Sequence, residues 1–201
     1  MESQPLRTVL LLGRPGSGKG TQTGLLAEHL GWKTVSSGNI FRELRNDQSP
    51  LGEKVRETYD TGVLFPGWFP TYFFLDAVLK LEAEQGVICE GFARSVDQAE
   101  VFDDALGWLG RKYVVFNLEV SEEEALRRQL SRHEIDARPD SDSPEKIKNR
   151  LHEYSERTQP VLKYFEKKGV LAQVNGEQTP EQIASELYGK LQDFTWTKKV
   201  G

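Results

Sequence analysis

Short, nearly continuous apolar runs alternate along the chain with longer stretches in which apolar residues recur every three or four positions. Thr8–Leu12, Gly86–Glu90, Lys112–Leu118 and Val170–Val174 are the short runs, and Lys33–Ser36 is a briefer fifth. Their length and unbroken apolar character predict strands covered on both faces. The longer stretches predict helices. They are Gly20–Leu30 (Leu25, Leu26, His29 and Leu30 on one side), Gly38–Arg45, Leu51–Thr61, Phe69–Glu84, Val96–Leu109, Ser121–Ser131 and Pro180–Leu191. A further long helix starts at Ser143-Pro144, with serine as cap and proline in the first turn, and Pro160 is expected to kink it. Ser121 with Glu124 three residues on predicts a capping box. Residues 132–142 read as a polar, proline-bearing loop, and the tail from Asp193 as frayed. Strand–helix alternation of this kind predicts an α/β fold, a five-stranded parallel sheet with helices on both faces. Ligands then sit at the carboxyl ends of the strands.

Composition narrows this picture only a little. A chain of 201 residues suits one domain spanning 1–201. The net charge of −5 gives no general attraction for nucleic acid. The one cysteine, Cys89, excludes an intrachain disulfide and a four-cysteine zinc site. No apolar run approaches membrane-spanning length, and no basic-then-apolar leader opens the sequence. A cytoplasmic protein without a nucleic-acid or membrane partner is the expectation.

The chemistry begins where the first strand ends. Gly13-Arg14-Pro15-Gly16-Ser17-Gly18-Lys19-Gly20-Thr21 lies between a strand and a helix, the context a phosphate-binding loop requires. Glycines let the backbone curl so that its amides converge on an anion, and the helix start adds positive potential. Lys19 supplies a full charge for the outer phosphates.

Three further constellations follow. Glu90-Gly91-Phe92-Ala93-Arg94 with Gln98 puts an acid at a strand tip, where it can hold the water shell of Mg²⁺. Arg94 suits bidentate phosphate contact, and the Gln98 amide can pair with adenine through one acceptor and one donor. Arg132, Arg138 and Arg150 flank or follow the polar loop and can bring positive charge to a transferred phosphoryl group. Arg127 and Arg128 read as solvated helix charges, Arg128 being retained among the ATP-binding candidates. Ser36-Ser37-Gly38-Asn39-Ile40-Phe41-Arg42 offers close backbone approach at Gly38 and a second anion contact at Arg42. The aromatic run Phe65–Phe74 suits core packing, with a partner surface as the alternative. Cys89 reads as a packed small hydrophobe, and the three histidines lack metal-ligand spacing.

Taken together and in this order, these blocks resemble the adenylate kinases. The family's Gly-x-Pro-Gly-x-Gly-Lys-Gly-Thr-Gln matches Gly13–Gln22, and its Ser-Thr-Gly-Asp-x-x-Arg corresponds to Ser36–Arg42. Its Asp-Gly-Phe-Pro-Arg-x-x-x-Gln corresponds to Glu90–Gln98. Its Arg-Leu-x-x-Tyr-x-x-x-Thr-x-Pro corresponds to Arg150–Pro160, and its last adenine-contacting loop to Val174-Asn175-Gly176.

The resemblance implies ATP + AMP ⇌ 2 ADP, Mg²⁺-dependent, by direct in-line transfer in a monomer. It implies a monophosphate-binding segment at 37–66 and a short lid at 132–142. Gly13, Pro15, Gly16, Ser17, Gly18, Lys19, Gly20, Thr21 and Gly176 would bind ATP. Ser37, Gly38, Arg42, Leu64, Gly91, Arg94 and Gln98 would bind AMP. Lys19, Arg94, Arg132, Arg138 and Arg150 would be catalytic, with Glu90 reaching the metal through water. Arg14, Asn39, Glu90, Ala93 and Gly67-Trp68 depart from the family pattern and leave the phosphate ligands in place. Two rival readings are a UMP/CMP kinase and a low-turnover regulatory nucleotide-binding protein of the same fold.

Overall fold

Alternation within the buried strands decides which helix covers which face of the sheet. In the computed structural model, which describes residues 6–135 and 138–194, five strands lie parallel in the order β2-β3-β1-β4-β5. They are β1 (Leu6–Gly13), β2 (Lys33–Ser36), β3 (Val87–Glu90), β4 (Lys112–Glu119) and β5 (Leu171–Asn175). Val9 and Leu11 of β1 point to one side, into a cluster with Ile88, Val114 and Phe116. Helices α1 (Lys19–Leu30) and α9 (Pro180–Asp193) close that face through Leu26, Ile183 and Leu187. Leu10 and Leu12 point the other way, with Cys89 and Val115. There α4 (Trp68–Leu79), α5 (Val96–Trp108) and α8 (Gln159–Lys167) bring Phe74, Phe102 and Phe165. The two-residue period of a strand thus serves two layers at once.

The central strand β1 runs between β3 and β4. Its neighbours lead to opposite edges of the sheet, so the carboxyl end of β1 is the crevice where such folds bind ligands. Gly13 ends β1 and Glu90 ends β3 at that crevice. Two short helices, α2 (Ser37–Asn46) and α3 (Pro50–Tyr59), stand over its β2–β3 side and share an apolar cluster of Phe41, Val55, Tyr59 and Phe69. The bidentate contact of Arg45 with Asp60, at 2.6 and 2.8 Å, ties the pair together. Helices α6 (Glu122–Ile135) and α7 (Pro144–Glu153) stand over the β4 side. Among the described residues no helix is long and apolar enough to cross a membrane.

Several local expectations need correction. His29 is exposed on α1 and meets the Tyr188 ring edge-on at 4.1 Å, while Gln22 and Thr23 join Leu26 on the buried side. Helix α4 stops at Leu79 instead of Glu84. The chain beyond it turns instead, with Arg7 donating to the Glu84 carbonyl and Arg111 to those of Glu82 and Gln85. Only half of the capping box at Ser121 forms. Its hydroxyl accepts from the Glu124 amide, but Glu124 turns to Arg127 and Arg128, and Glu177 accepts from the Ser121 amide. Helix α6 continues to Ile135, so Arg132 sits on a helix. Residues 136 and 137 of the 132–142 stretch lie outside the described residues, as do 1–5 and 195–201 of the 1–201 domain.

Pro160 acts upstream of itself. Its missing N–H and its ring are incompatible with a regular preceding turn, and the chain widens into a π-helical turn at Tyr154–Thr158. The last helix is longer than expected, since α9 reaches Asp193 and Phe194 packs against the α1–α9 core; the rest of the tail lies outside the described residues.

Candidate active site

Two glycines of the phosphate loop, Gly13 and Gly16, leave no room for a side chain. Gly16 has φ +91, and a Cβ there would lie 2.6 Å from the Ala125 carbonyl. The loop therefore lies flat against α6. Lys19 opens α1 and folds its Nζ back onto the loop, 2.7 Å from the Gly13 carbonyl, 2.9 Å from that of Arg14 and 3.3 Å from Ser17 Oγ. Burial brings the Lys19 ammonium down to about 7; nearby Glu90 opposes this, while Arg94, Arg150 and Arg132 add to it. Those arginines mark a surplus of positive charge around the lysine. The Arg14 side chain donates to the Val120 carbonyl at 2.9 Å and lies over the Tyr154 ring, so it braces the loop.

On the opposite wall, Glu90 accepts from Ser36 Oγ at 3.2 Å. Gly91 follows with φ +82, and a Cβ there would fall 2.3 Å from Ser37 Oγ. The reason is the Ser37 hydroxyl, which is buried and donates to the Gly91 carbonyl at 2.8 Å. That hydroxyl pins α2 to the end of β3. Arg42 extends from α2 past Gly38, where the guanidinium contacts Asn39 Oδ1.

Arg94 is held from two directions. Its amide donates to Gln98 Oε1 at 3.0 Å, and its carbonyl accepts from Thr158 Oγ1 at 3.1 Å. The wide turn at 154–158 is what delivers Thr158 there. Ala93, just before, has φ +51, a left-handed conformation that costs a non-glycine residue about 1–2 kcal/mol and is kept only where its surroundings demand it. Burial lowers the Arg94 guanidinium, and Arg150 lowers it further by repulsion.

The remaining cations come from the far side. Arg132 reaches Ser141 Oγ at 3.3 Å, and Arg138 precedes the short 3₁₀ turn Pro139–Ser141. Arg150, on α7, forms an ion pair with Asp140 at 2.7 Å that is not aligned as a hydrogen bond. Arg128 donates to Glu124 at 2.6 Å and to the Gly176 carbonyl at 2.8 Å, so it and the last loop are joined. This corrects its reading as a merely solvated charge.

One cleft of about 600 Å³ collects Lys19, Glu90 and the arginines Arg42, Arg94, Arg128, Arg132, Arg138 and Arg150. Gly13, Pro15, Gly16, Gly18, Gly20 and Thr21 line it on the loop side, and Gly38, Leu64, Gly91 and Gln98 on the other. Ser17 is buried behind the loop, and Gly176 is reached through Arg128. Tyr59, Asp140, Tyr154 and Thr158 also line the cleft. Residue-level reasoning passed over Tyr59, which occupies a core position of α3. The last two were visible only within the Arg150–Pro160 motif.

Among the described residues no group of three His, Cys, Asp or Glu side chains could enclose a metal. The Glu90 carboxylate faces the phosphate loop: a Cβ on Gly20 would lie 3.9 Å from its Oε2. That donor set fits a cation such as Mg²⁺, which keeps most of its waters and takes its other ligands from phosphate.

The aromatic run divides. Phe65, Phe69 and Phe73 pack with Phe41 at ring separations of 4.3 to 6.2 Å, whereas Trp68 and Tyr72 are exposed.

Comparison with known proteins agrees with this geometry. The family model for adenylate kinase matches residues 11–170. An adenylate kinase of Thermus thermophilus is 39% identical over 189 residues, covering 92% of this chain and 97% of its own. One of Thermobifida fusca is 39% identical over 176 residues, covering 87% and 93%. One of Methanothrix thermoacetophila is 34% identical over 212 residues, covering 92% and 99%.

Proposed function

The chain belongs to the adenylate kinase family, and on that premise we propose that it catalyses ATP + AMP ⇌ 2 ADP by direct in-line phosphoryl transfer. One observation supports this above the others. A phosphate loop and six arginines face a single cleft large enough for two nucleotide tails. Two polyphosphate anions repel each other, and a cationic floor offsets that repulsion where the tails must meet.

In this reading the loop amides and Lys19 hold the ATP phosphates, while Arg128 and the Gly176 loop flank its base. Arg42 and Arg94 grip the AMP phosphate, and Gln98 and the backbone at Leu64 read the adenine. An AMP phosphate oxygen attacks the γ-phosphorus as the bond to the β–γ bridging oxygen breaks, and ADP leaves as an anion. The attacking oxygen is already charged, so no general base takes part. Arg132, Arg138 and Arg150 meet the charge on the three equatorial oxygens. Mg²⁺, when bound, would neutralise phosphate charge, and Glu90 would hold it through water.

Residues 37–66 and 132–142 are proposed as the parts that close over AMP and ATP. A monomer in the cytoplasm, with ATP, AMP and ADP as partners and neither nucleic acid nor membrane, completes the reading.

A coupled assay tests it by offering ATP with AMP, UMP, CMP or GMP and following diphosphate formation. Turnover with AMP well above the other three is the expected result. Turnover with pyrimidines alone, or tight binding of a five-phosphate diadenosine compound without turnover, overturns it in favour of one rival or the other.

A further inference from the structure

Tyr59 ends α3 and is only 5% exposed. Its ring packs among Phe41, Val55 and Phe69, a task that phenylalanine would perform equally well. Its hydroxyl is different. The oxygen is buried and meets no hydrogen-bonding partner among the described residues. Buried phenols nearly always have a partner, because leaving the group unpaired is costly. Tyr59 is also part of the cleft wall, along with Arg42, Arg94 and Leu64. It is near enough to the Arg94 guanidinium to bear on its charge. The tie between Arg45 and Asp60 makes α2 and α3 one unit, so Tyr59 travels with Arg42. A single O–H donor on a cleft wall that it shares with two guanidinium groups matches one class of ligand, an anion with several oxygens.

We propose that Tyr59 is an additional ligand of the acceptor nucleotide, its hydroxyl donating a hydrogen bond to a phosphate oxygen of the monophosphate held by Arg42 and Arg94. The inference rests on reading that side of the cleft as the acceptor site. It gives α3 a direct part in binding, where Val55 and the Tyr59 ring alone would give it only a packing role.

The test is calorimetric titration of the wild-type protein and Tyr59→Phe with AMP, UMP, CMP, GMP and ATP, together with thermal melts and steady-state kinetics. A hydrogen bond to a charged group predicts that whichever monophosphate binds the wild type binds the variant about 10-fold more weakly or worse. KM for that monophosphate rises accordingly, kcat changes little and ATP affinity holds. The melting temperature of the free variant is unchanged or higher, because no internal hydrogen bond is lost. Monophosphate affinity within twofold of wild type overturns the proposal, whatever the melting temperature does. If UMP binds, AMP does not, and UMP weakens in the variant, the adenylate reading falls and the Tyr59 contact stands. If AMP binds both proteins alike, the contact falls and the adenylate reading stands.

Discussion

Arg150 on α7 sits 2.7 Å from Asp140, and the two side chains are 20% and 13% exposed. Asp140 is thus the counter-ion of a cation that faces the same cleft as Lys19, Arg94, Arg132 and Arg138. Asp140→Asn leaves Arg150 charged and unopposed among them. Breaking a largely buried pair costs more than breaking a surface pair, and partial exposure here limits the loss to about 1–3 kcal/mol. The free variant should melt at a lower temperature, and a five-phosphate diadenosine ligand should recover most of the difference. An unchanged melting temperature without ligand would sink this account of Asp140.

Lys19 has a more direct part. Lys19→Ala removes the only lysine among the cleft-lining residues, and Arg138→Ala removes a guanidinium from its far wall. Loss of one preorganised donor to a developing anion costs about 100-fold or more in turnover. Both variants should lose at least that much kcat in the coupled assay and keep the wild-type circular dichroism spectrum. Near-normal turnover in either would remove that residue from its assigned role.

Protonation of Lys19 should follow occupancy. Burial holds its ammonium near about 7 in the free protein, so at pH 8 it is mostly neutral. A bound polyphosphate favours the charged form and raises that value, so ATP binding at pH 8 takes up roughly one proton per site. Titrations in buffers of different ionisation enthalpy measure the uptake, and it should vanish in Lys19→Met. The same shift bears on stability. Between about 7 and the ordinary lysine range the unfolded chain holds this proton and the folded one does not. Stability of the free protein therefore gains from this group as pH rises through that window. Release of a proton on binding at pH 8 would contradict the assignment.

The contact between Ser37 and Gly91 gives a steric prediction. A Cβ on Gly91 would lie 2.3 Å from Ser37 Oγ, on a backbone with φ +82. Gly91→Ala should destabilise by about 2–4 kcal/mol, from left-handed strain plus overlap. Ser37→Ala removes the oxygen that collides. The double variant should therefore be more stable than the sum of the single losses predicts, by about 1 kcal/mol or more. Strict additivity in chemical denaturation would show that the two residues do not press on each other.

Much of this site was legible in the sequence because its parts are local. Gly13–Thr21 needs only a strand before it and a helix after it. Glu90–Gln98 is a strand tip and a helix start, whose Arg94 amide and Gln98 Oε1 are four residues apart. The illegible parts depend on partners distant along the chain. Nothing local shows that the Gly91 carbonyl, 54 residues on, accepts from the Ser37 hydroxyl. The half-formed box at Ser121 has the same origin, since Glu177 reaches its amide from 56 residues away. The stretch after α4 is likewise held from afar, by arginines at positions 7 and 111 that donate to the Glu84 and Glu82 carbonyls. Tyr59 escaped notice for a different reason. Periodicity sorts whole residues into core and surface, and it cannot see a single polar atom on a core ring.

The wide turn at Tyr154–Thr158 shifts the phase of the rod that contains it. Helix α7 commits Ile147 and Leu151 to a small cluster with Val120 and Ala125, while α8 commits Val161 and Phe165 to the sheet. A rod of constant pitch repeats one azimuth along its length and would have to favour one neighbour over the other. The slack turn resets the azimuth midway, so one continuous segment can aim Arg150 into the cleft and still anchor its far end in the sheet.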